Sequence, residues 1–233
     1  MDQLLIALDV DSASRAAALA RLLGGSVGGF KIGSQLFTAE GPGIVEAIAR
    51  EGYRVFLDLK FHDIPNQVAG AVRAAARRGV WMLTVHASGG PAMLRAAAMA
   101  ANEAKKPPTV VAVTVLTSID EAAMGAMGVQ RPLLAHVAGL ARLARDAGLD
   151  GVVASPQEIA TVRQSGGAGF TIVTPGIRSP GAEPHDQART MSAAEAIRAG
   201  ATYIVVGRPV IAATDPLAAV EQIKAEMQKP IAR

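Results

Sequence analysis

Cysteine is absent from this sequence of 233 residues. That excludes disulfides, thiolate metal sites and cysteine nucleophiles, and it fits a reducing compartment. Aromatic residues make up only 3% of the chain, too few for the stacking platforms on which single-strand nucleic-acid binders lay successive bases. Long runs of one charge are also missing. The formal net charge is +3, with the cations scattered along the chain, a pattern that suits a small anionic ligand better than nucleic acid. No apolar run approaches the roughly 18 residues that a membrane span needs. The start, Met1-Asp2-Gln3 followed by the short run Leu4 to Leu8, has neither the basic region nor the cleavage site of a secretion signal. These absences point to a cytoplasmic protein with no membrane or nucleic-acid partner.

What is present is core-forming material. Half of the residues are hydrophobic and 18% are charged, which can fill a sizeable core and leaves little room for disorder. Short apolar or β-branched runs alternate with Ala/Leu-rich stretches of helical period, as in parallel βα units. Eight such runs are visible: Leu4–Val10, Gly29–Gly33, Val55–Lys60, Met82–Ala87, Val110–Leu116, Gly151–Ala154, Thr171–Thr174 and Tyr203–Gly207. Each is almost continuously hydrophobic, as expected of strands buried on both faces. An open doubly wound sheet has the same periodicity, but eight regular repeats favour an α/β fold with one closed (β/α)8 TIM barrel spanning residues 1–233, a length close to the roughly 250 residues typical of such barrels. Asp11-Ser12 can cap the first helix, and Gly79, Gly148 and Gly200 stand where helical patterns end. The stretch Pro175 to Thr190 is poor in regular pattern, and a loop of that length in a compact domain is usually functional.

Barrel enzymes place their chemistry at the C-terminal ends of the strands. There the apolar runs are interrupted by Asp9 on the first strand, Lys31 on the second, Asp58 and Lys60 on the third, and followed by Thr117 after the fifth and Arg208 after the eighth. Asp58 and Lys60 are two apart, so a regular strand puts both on one face, with Phe56 beneath them. Unpaired buried charges cost several kcal/mol each, so a plain structural reading makes them a mutually neutralising pair. Lys31 on a neighbouring strand turns the pair into an alternating cluster, which favours a functional reading. Alternatives stay open for the outlying members: Lys31 can reach outward to solvent, and Asp9 can cap the following helix. His62 and His86 fit structural or interface hydrogen bonding better than general-base catalysis, and neither has a second ligand at metal-binding spacing.

A second group lies near the end of the chain. Thr174-Pro175-Gly176-Ile177-Arg178 follows the seventh strand, and Val206-Gly207-Arg208-Pro209 follows the eighth and opens a helix. Loops at these two places form the usual phosphate site of the fold, where glycine admits backbone N–H groups to the phosphate and arginine binds it bidentately. Turn glycines and surface cations are the plainer reading. The phosphate reading implies a ligand whose far end meets the charged cluster.

At this point the sequence resembles the orotidine 5′-phosphate decarboxylase family. The likeness is carried by Asp58-Leu59-Lys60-Phe61-His62-Asp63-Ile64-Pro65-Asn66 together with Ala7-Leu8-Asp9, Phe30-Lys31-Ile32-Gly33, Val115-Leu116-Thr117-Ser118, the two segments after strands seven and eight, and Gln187. The Asp-x-Lys-x-x-Asp core alone is shared with sister enzymes, whereas the full set in order is specific. The resemblance implies decarboxylation of orotidine 5′-monophosphate to UMP and carbon dioxide, the last step of de novo UMP biosynthesis, with no metal or organic cofactor. It implies Lys60 as proton donor to C6, Asp58 beside the departing carboxylate, and Lys31 holding that aspartate while touching ribose. Asp63 would complete the Lys31-Asp58-Lys60-Asp63 array from the neighbouring subunit, so that active sites lie at the interface of a homodimer. Asp9 would bind ribose, Thr117 would lie near the pyrimidine, and Gln187 would bridge base and phosphate. Arg178, Gly207 and Arg208 would serve the phosphate, and Ile64 and Gln67 complete the implied substrate-binding set.

The reaction leaves an in-plane carbanion that the ring cannot directly delocalise, and a nearby ammonium can stabilise that charge and then protonate it. One departure from the family pattern stands at Gln67, where threonine is usual. A longer amide can still donate a hydrogen bond, but its reach and rotamer freedom differ, so altered nucleotide affinity is expected before lost chemistry. The nearest rivals are sister enzymes acting on sugar phosphates with magnesium, which carry a glutamate where Lys31 stands. A catalytically silent nucleotide sensor is the rival of a different kind.

Overall fold

The alternation of buried side chains along each short strand decides how this chain folds. The computed structural model describes residues 3–177 and 191–228. Eight parallel strands pair in chain order and close on themselves: β1 (Leu4–Ala7), β2 (Gly29–Gly33), β3 (Val55–Phe61), β4 (Met82–His86), β5 (Thr109–Val113), β6 (Gly151–Val153), β7 (Thr171–Thr174) and β8 (Tyr203–Val206). The ring closes where β8 pairs with β1 through Leu5↔Val205 and Ile6↔Val206. The expected (β/α)8 barrel is therefore the architecture found.

Alternate residues of the strands feed two separate cores. Leu5, Ala7, Phe56, Met82, Val111, Val173 and Val205 pack together inside the barrel. Leu4, Ile6, Phe30, Ile32, Val55, Leu57, Leu83 and Val85 instead join the larger core between barrel and helices. A closed sheet must be apolar on both faces, which explains why the runs read as continuously hydrophobic. The alanine-rich stretches supply the close approach: Ala75 on the helix Pro65–Arg77 and Ala97 on the helix Gly90–Asn102 are buried in that outer core. At the N-terminal mouth, Tyr203 packs edge-on against Trp81, whose ring lies 4.5 Å from the Arg54 guanidinium.

Several strands stop earlier than their apolar runs suggest. β1 ends at Ala7 and β5 at Val113, although the Leu8 N–H still donates to the Lys31 carbonyl at 2.9 Å and the Thr114 N–H to the Val153 carbonyl at 3.1 Å. Both residues remain buried after leaving the ladder, Leu8 in the outer core between barrel and helices. Asp9 thus lies two residues beyond its strand. The first helix is capped by Ser12, whose hydroxyl accepts from the Arg15 N–H. Gly79, Gly148 and Gly200 take left-handed φ values of 78°, 83° and 109° at helix ends, where a Cβ would be strained. The loop after β7 is described only at its edges, where Ile177 bridges to Met191.

Candidate active site

Strand parity settles where the charged residues point. Phe30 and Ile32 are committed to the outer core, so Lys31 between them faces the barrel interior. Its side chain is only 11% exposed, which rules out the solvent-reaching alternative. By the same alternation Asp58 stands above Phe56 on β3, and Thr84 stands above Met82 on β4. Asp9 does not cap a helix: its Oδ1 accepts from Lys31 Nζ at 2.9 Å.

The result is a chain of alternating charges. Lys31 Nζ lies 2.9 Å from Asp9 and 3.8 Å from Asp58 Oδ2, and Lys60 Nζ lies 3.0 Å from Asp58 Oδ1. Asp58 is the central member, mostly buried and shared between two ammonium groups. Each buried charge is thereby paired, as the cost of desolvation demands. Gly33 is part of the same construction: a Cβ there would stand 2.8 Å from Lys31 Nζ and 3.3 Å from Asp9 Oδ1. The side chain of β2 must be absent at this point to leave room for the ion pair.

Lys60 reaches Asp58 by an irregular route. Regular alternation would suffice to put the two on one face, but Lys60 has φ 53°, the sole positive φ of a non-glycine residue among the described residues. A left-handed L residue costs about 1 kcal/mol or more. The β3–β4 pairing slips at the same place, from Leu57↔Leu83 to Phe61↔Val85. The Lys60 N–H donates to Thr84 Oγ1 at 2.8 Å, and that hydroxyl donates to Asp58 Oδ1 at 3.0 Å.

These groups border a cavity of about 520 Å³ at the C-terminal end of the barrel. It brings together Asp9, Lys31, Asp58, Lys60, Thr117, Gly207 and Arg208 from the expected set, with Gly176 of the loop after β7 also in the lining. Gln35 and Ser118 also line it, as do apolar residues such as Val115 and Val205. Gly207 closely abuts Asp9, since a Cβ on it would lie 3.5 Å from Asp9 Oδ2. Asp63, Ile64 and Gln67 are not among the lining residues; all three are exposed, with Ile64 at 65%. The Asp63 carboxylate accepts from the Ile64 N–H. Arg178 and Gln187 lie outside the described residues.

Two residues escaped the sequence reading. Thr84 is fully buried in an apolar strand, and a lone threonine there reads as a β-former. Gln35 lies in the first turn of the helix Ser34–Glu40 and carries no motif. The two histidines form a stack, with His62 and His86 ring centroids 5.2 Å apart, and His86 Nδ1 lies 2.7 Å from Ser88 Oγ. Burial, followed by the neighbouring His62 and Lys60, pushes the His86 imidazole below its ordinary range.

The arrangement can hold an anion at Arg208 and present an ammonium flanked by a carboxylate to the other end of the same ligand. Compared with known proteins, residues 2–223 match the family described as orotidine 5′-phosphate decarboxylase / HUMPS. The chain belongs to that family. A curated orotidine 5′-phosphate decarboxylase of Alkalilimnicola ehrlichii is 53% identical over 97% of this chain and 96% of its own length. The enzyme of the same name from Moorella thermoacetica is 51% identical over 97% of this chain and 92% of its own. Among solved structures, the orotidine 5′-phosphate decarboxylase of Lactobacillus acidophilus superposes with a TM-score of 0.86 at 35% identity, covering 98% of this chain and all of that one. Membership of the orotidine 5′-phosphate decarboxylase / HUMPS family extends over both the charged cluster and the Gly207-Arg208 segment, so neither is an isolated motif match. Among the described residues, no helix is long and apolar enough to cross a membrane.

Proposed function

We propose that the protein decarboxylates orotidine 5′-monophosphate to UMP and carbon dioxide in pyrimidine biosynthesis, using Lys60 as the proton donor. The observation that carries this reading is the Lys31–Asp58–Lys60 array, with ion pairs of 3.8 and 3.0 Å, at one side of a cavity that also reaches Arg208. The relatives at about half identity that bear the decarboxylase name support the same activity.

The phosphate binds at Gly207 and Arg208 with backbone N–H and guanidinium donors, and the pyrimidine lies toward Thr117. By the family resemblance, Arg178 serves the phosphate and Gln187 bridges base and phosphate. Asp9 and Lys31 face the ribose. The C6 carboxylate then lies beside Asp58 and Lys60. The C6–carboxylate bond breaks with its electron pair left on C6, and carbon dioxide departs. The Lys60 ammonium stabilises this charge and donates a proton to C6, giving UMP and a neutral amine that solvent reprotonates. Binding energy from the remote phosphate holds the base in a site with little water, where these charges act strongly.

The array is completed by Asp63 of a second copy, which makes the working unit a homodimer with its sites at the interface. The continuous exposed run from His62 to Gln67, bearing Asp63 and Ile64, supports this. Ile64 and Gln67 then touch the neighbouring subunit's nucleotide. The whole chain acts as one barrel domain in the cytoplasm. No metal or organic cofactor takes part: Asp9 and Asp58 each already face an ammonium, and Lys31 opposes a divalent cation. Pyrimidine absorbance during incubation with orotidine 5′-monophosphate tests the function. Equal turnover with and without EDTA is expected. Loss of activity in EDTA would favour a magnesium-dependent sugar-phosphate enzyme, and tight UMP binding without turnover would favour a sensor.

A further inference from the structure

We infer that Thr84 is a positioning residue for this reaction, its hydroxyl locking the backbone of Lys60 to the carboxylate of Asp58. Thr84 lies at the centre of β4 with no exposed surface and is absent from the cavity lining. It therefore acts through other groups. The pairing slip between β3 and β4 leaves residues 58 to 60 facing Thr84 alone, since Leu57 pairs with Leu83 and Phe61 with Val85. Lys60 sits in this slip with φ 53°, so the ordinary ladder does not hold its N–H.

One hydroxyl replaces the ladder and does more. A backbone N–H can only donate and an ionised carboxylate can only accept, so the group between them must do both. Thr84 Oγ1 accepts from the Lys60 N–H at 2.8 Å and donates to Asp58 Oδ1 at 3.0 Å. The same Asp58 oxygen accepts from Lys60 Nζ at 3.0 Å. A closed ring results, in which main chain and side chain of Lys60 are both referenced to one carboxylate oxygen through a rigid strand. β-Branching restricts the Thr84 rotamer and so adds to the rigidity. Valine keeps the shape and removes the hydroxyl; serine keeps the hydroxyl and removes the methyl.

The inference rests on Lys60 being the proton donor, and the test separates the two. Turnover of orotidine 5′-monophosphate per UMP-binding site is measured for the parent, Thr84→Val, Thr84→Ser and Lys60→Ala. Displacing a reacting group by about 1 Å can cost about 100-fold, so Thr84→Val is expected to lower kcat roughly 10- to 100-fold with KM and UMP affinity changed less than about threefold. Thr84→Ser should recover kcat to within about fivefold of the parent. Should Thr84→Val fail to fold, Thr84→Ala against Thr84→Ser makes the same comparison. Parental kcat in the variant lacking the hydroxyl would overturn the inference, as would a Thr84→Ser variant as impaired as Thr84→Val. If Lys60→Ala keeps its turnover, the proton-donor reading fails instead. An inactive Lys60→Ala beside an unaffected Thr84→Val removes only the role of Thr84.

Discussion

Lys60 Nζ meets Asp58 Oδ1 at 3.0 Å although Lys60 occupies the left-handed region of backbone space at φ 53°. The contact is thus not a by-product of strand alternation. The backbone accepts a local cost at the residue proposed as the proton donor, and the barrel around it supplies the compensation. Backbone strain of this kind concentrates at functional sites. It provides a reason, separate from the motif, to place Lys60 at the centre of the mechanism.

Lys31 depends on an absent side chain. Gly33→Ala would put a methyl group 2.8 Å from Lys31 Nζ, and the flexible lysine would give way before the strand does. The expected outcome is a folded protein with a lowered thermal midpoint, since a buried charge is moved off its partners, and kcat/KM lowered roughly 10- to 100-fold, the cost of a misplaced reacting array. Steady-state kinetics beside a melting curve checks this, and an unaltered kcat/KM would show that Lys31 has another acceptable position.

How much of this was legible beforehand follows from the physics of each feature. Eight apolar runs revealed the barrel because a closed parallel sheet needs apolar residues on both faces, and Asp9, Lys31, Asp58 and Lys60 stood out by breaking those runs. Strand ends were overread at Val10 and Leu116: burial continues past the ladder to Val10 and Val115, whereas Leu116 is an exposed apolar residue that only extends the hydrophobic run. The inward direction of Lys31 became definite only with Phe30 and Ile32 fixed in the outer core. Thr84 was invisible: nothing in a single threonine among β-formers shows that its hydroxyl faces a slipped register. The left-handed Lys60 was equally hidden, since lysine carries no preference for that region.

Gln67 stands where a threonine is usual in the family resemblance. A shorter β-branched hydroxyl pays less rotamer entropy to make one hydrogen bond, and a net bond is worth about 0.5–1.5 kcal/mol. Gln67→Thr should therefore lower KM for orotidine 5′-monophosphate roughly 2- to 10-fold with little change in kcat. Saturation kinetics on the two proteins measures it, and an increased KM would mean that the glutamine contact is the better one.

His86 links pH to stability. Burial, the nearby His62 and then Lys60 hold it below its ordinary range in the folded protein. The unfolded chain therefore binds a proton first as pH falls, and the stability present above about pH 6.5 is lost as pH drops toward the lower folded value. The melting temperature should decline from pH 7 to pH 5, and His86→Gln should decline less over the same interval. Identical pH profiles for the two would remove His86 as a contributor.

The shared-site proposal has a direct complementation test. Lys60→Ala and Asp63→Ala are each expected to be nearly inactive, the one lacking its own ammonium and the other its partner's carboxylate. Equal mixing with subunit exchange makes about half of the dimers hybrids with one intact site each, so roughly a quarter of parental activity should return. If exchange is demonstrated and no activity returns, Asp63 does not act across an interface.

The central claim is that the Lys60 ammonium stabilises and protonates C6, and the Lys60→Ala variant tests it most directly when turnover and UMP binding are measured on the same folded sample. General-acid and electrostatic contributions together predict a loss of at least about 1,000-fold in kcat, with UMP affinity within about tenfold of the parent. Turnover within about tenfold of the parent would contradict the mechanism and move the proton donor elsewhere in the site.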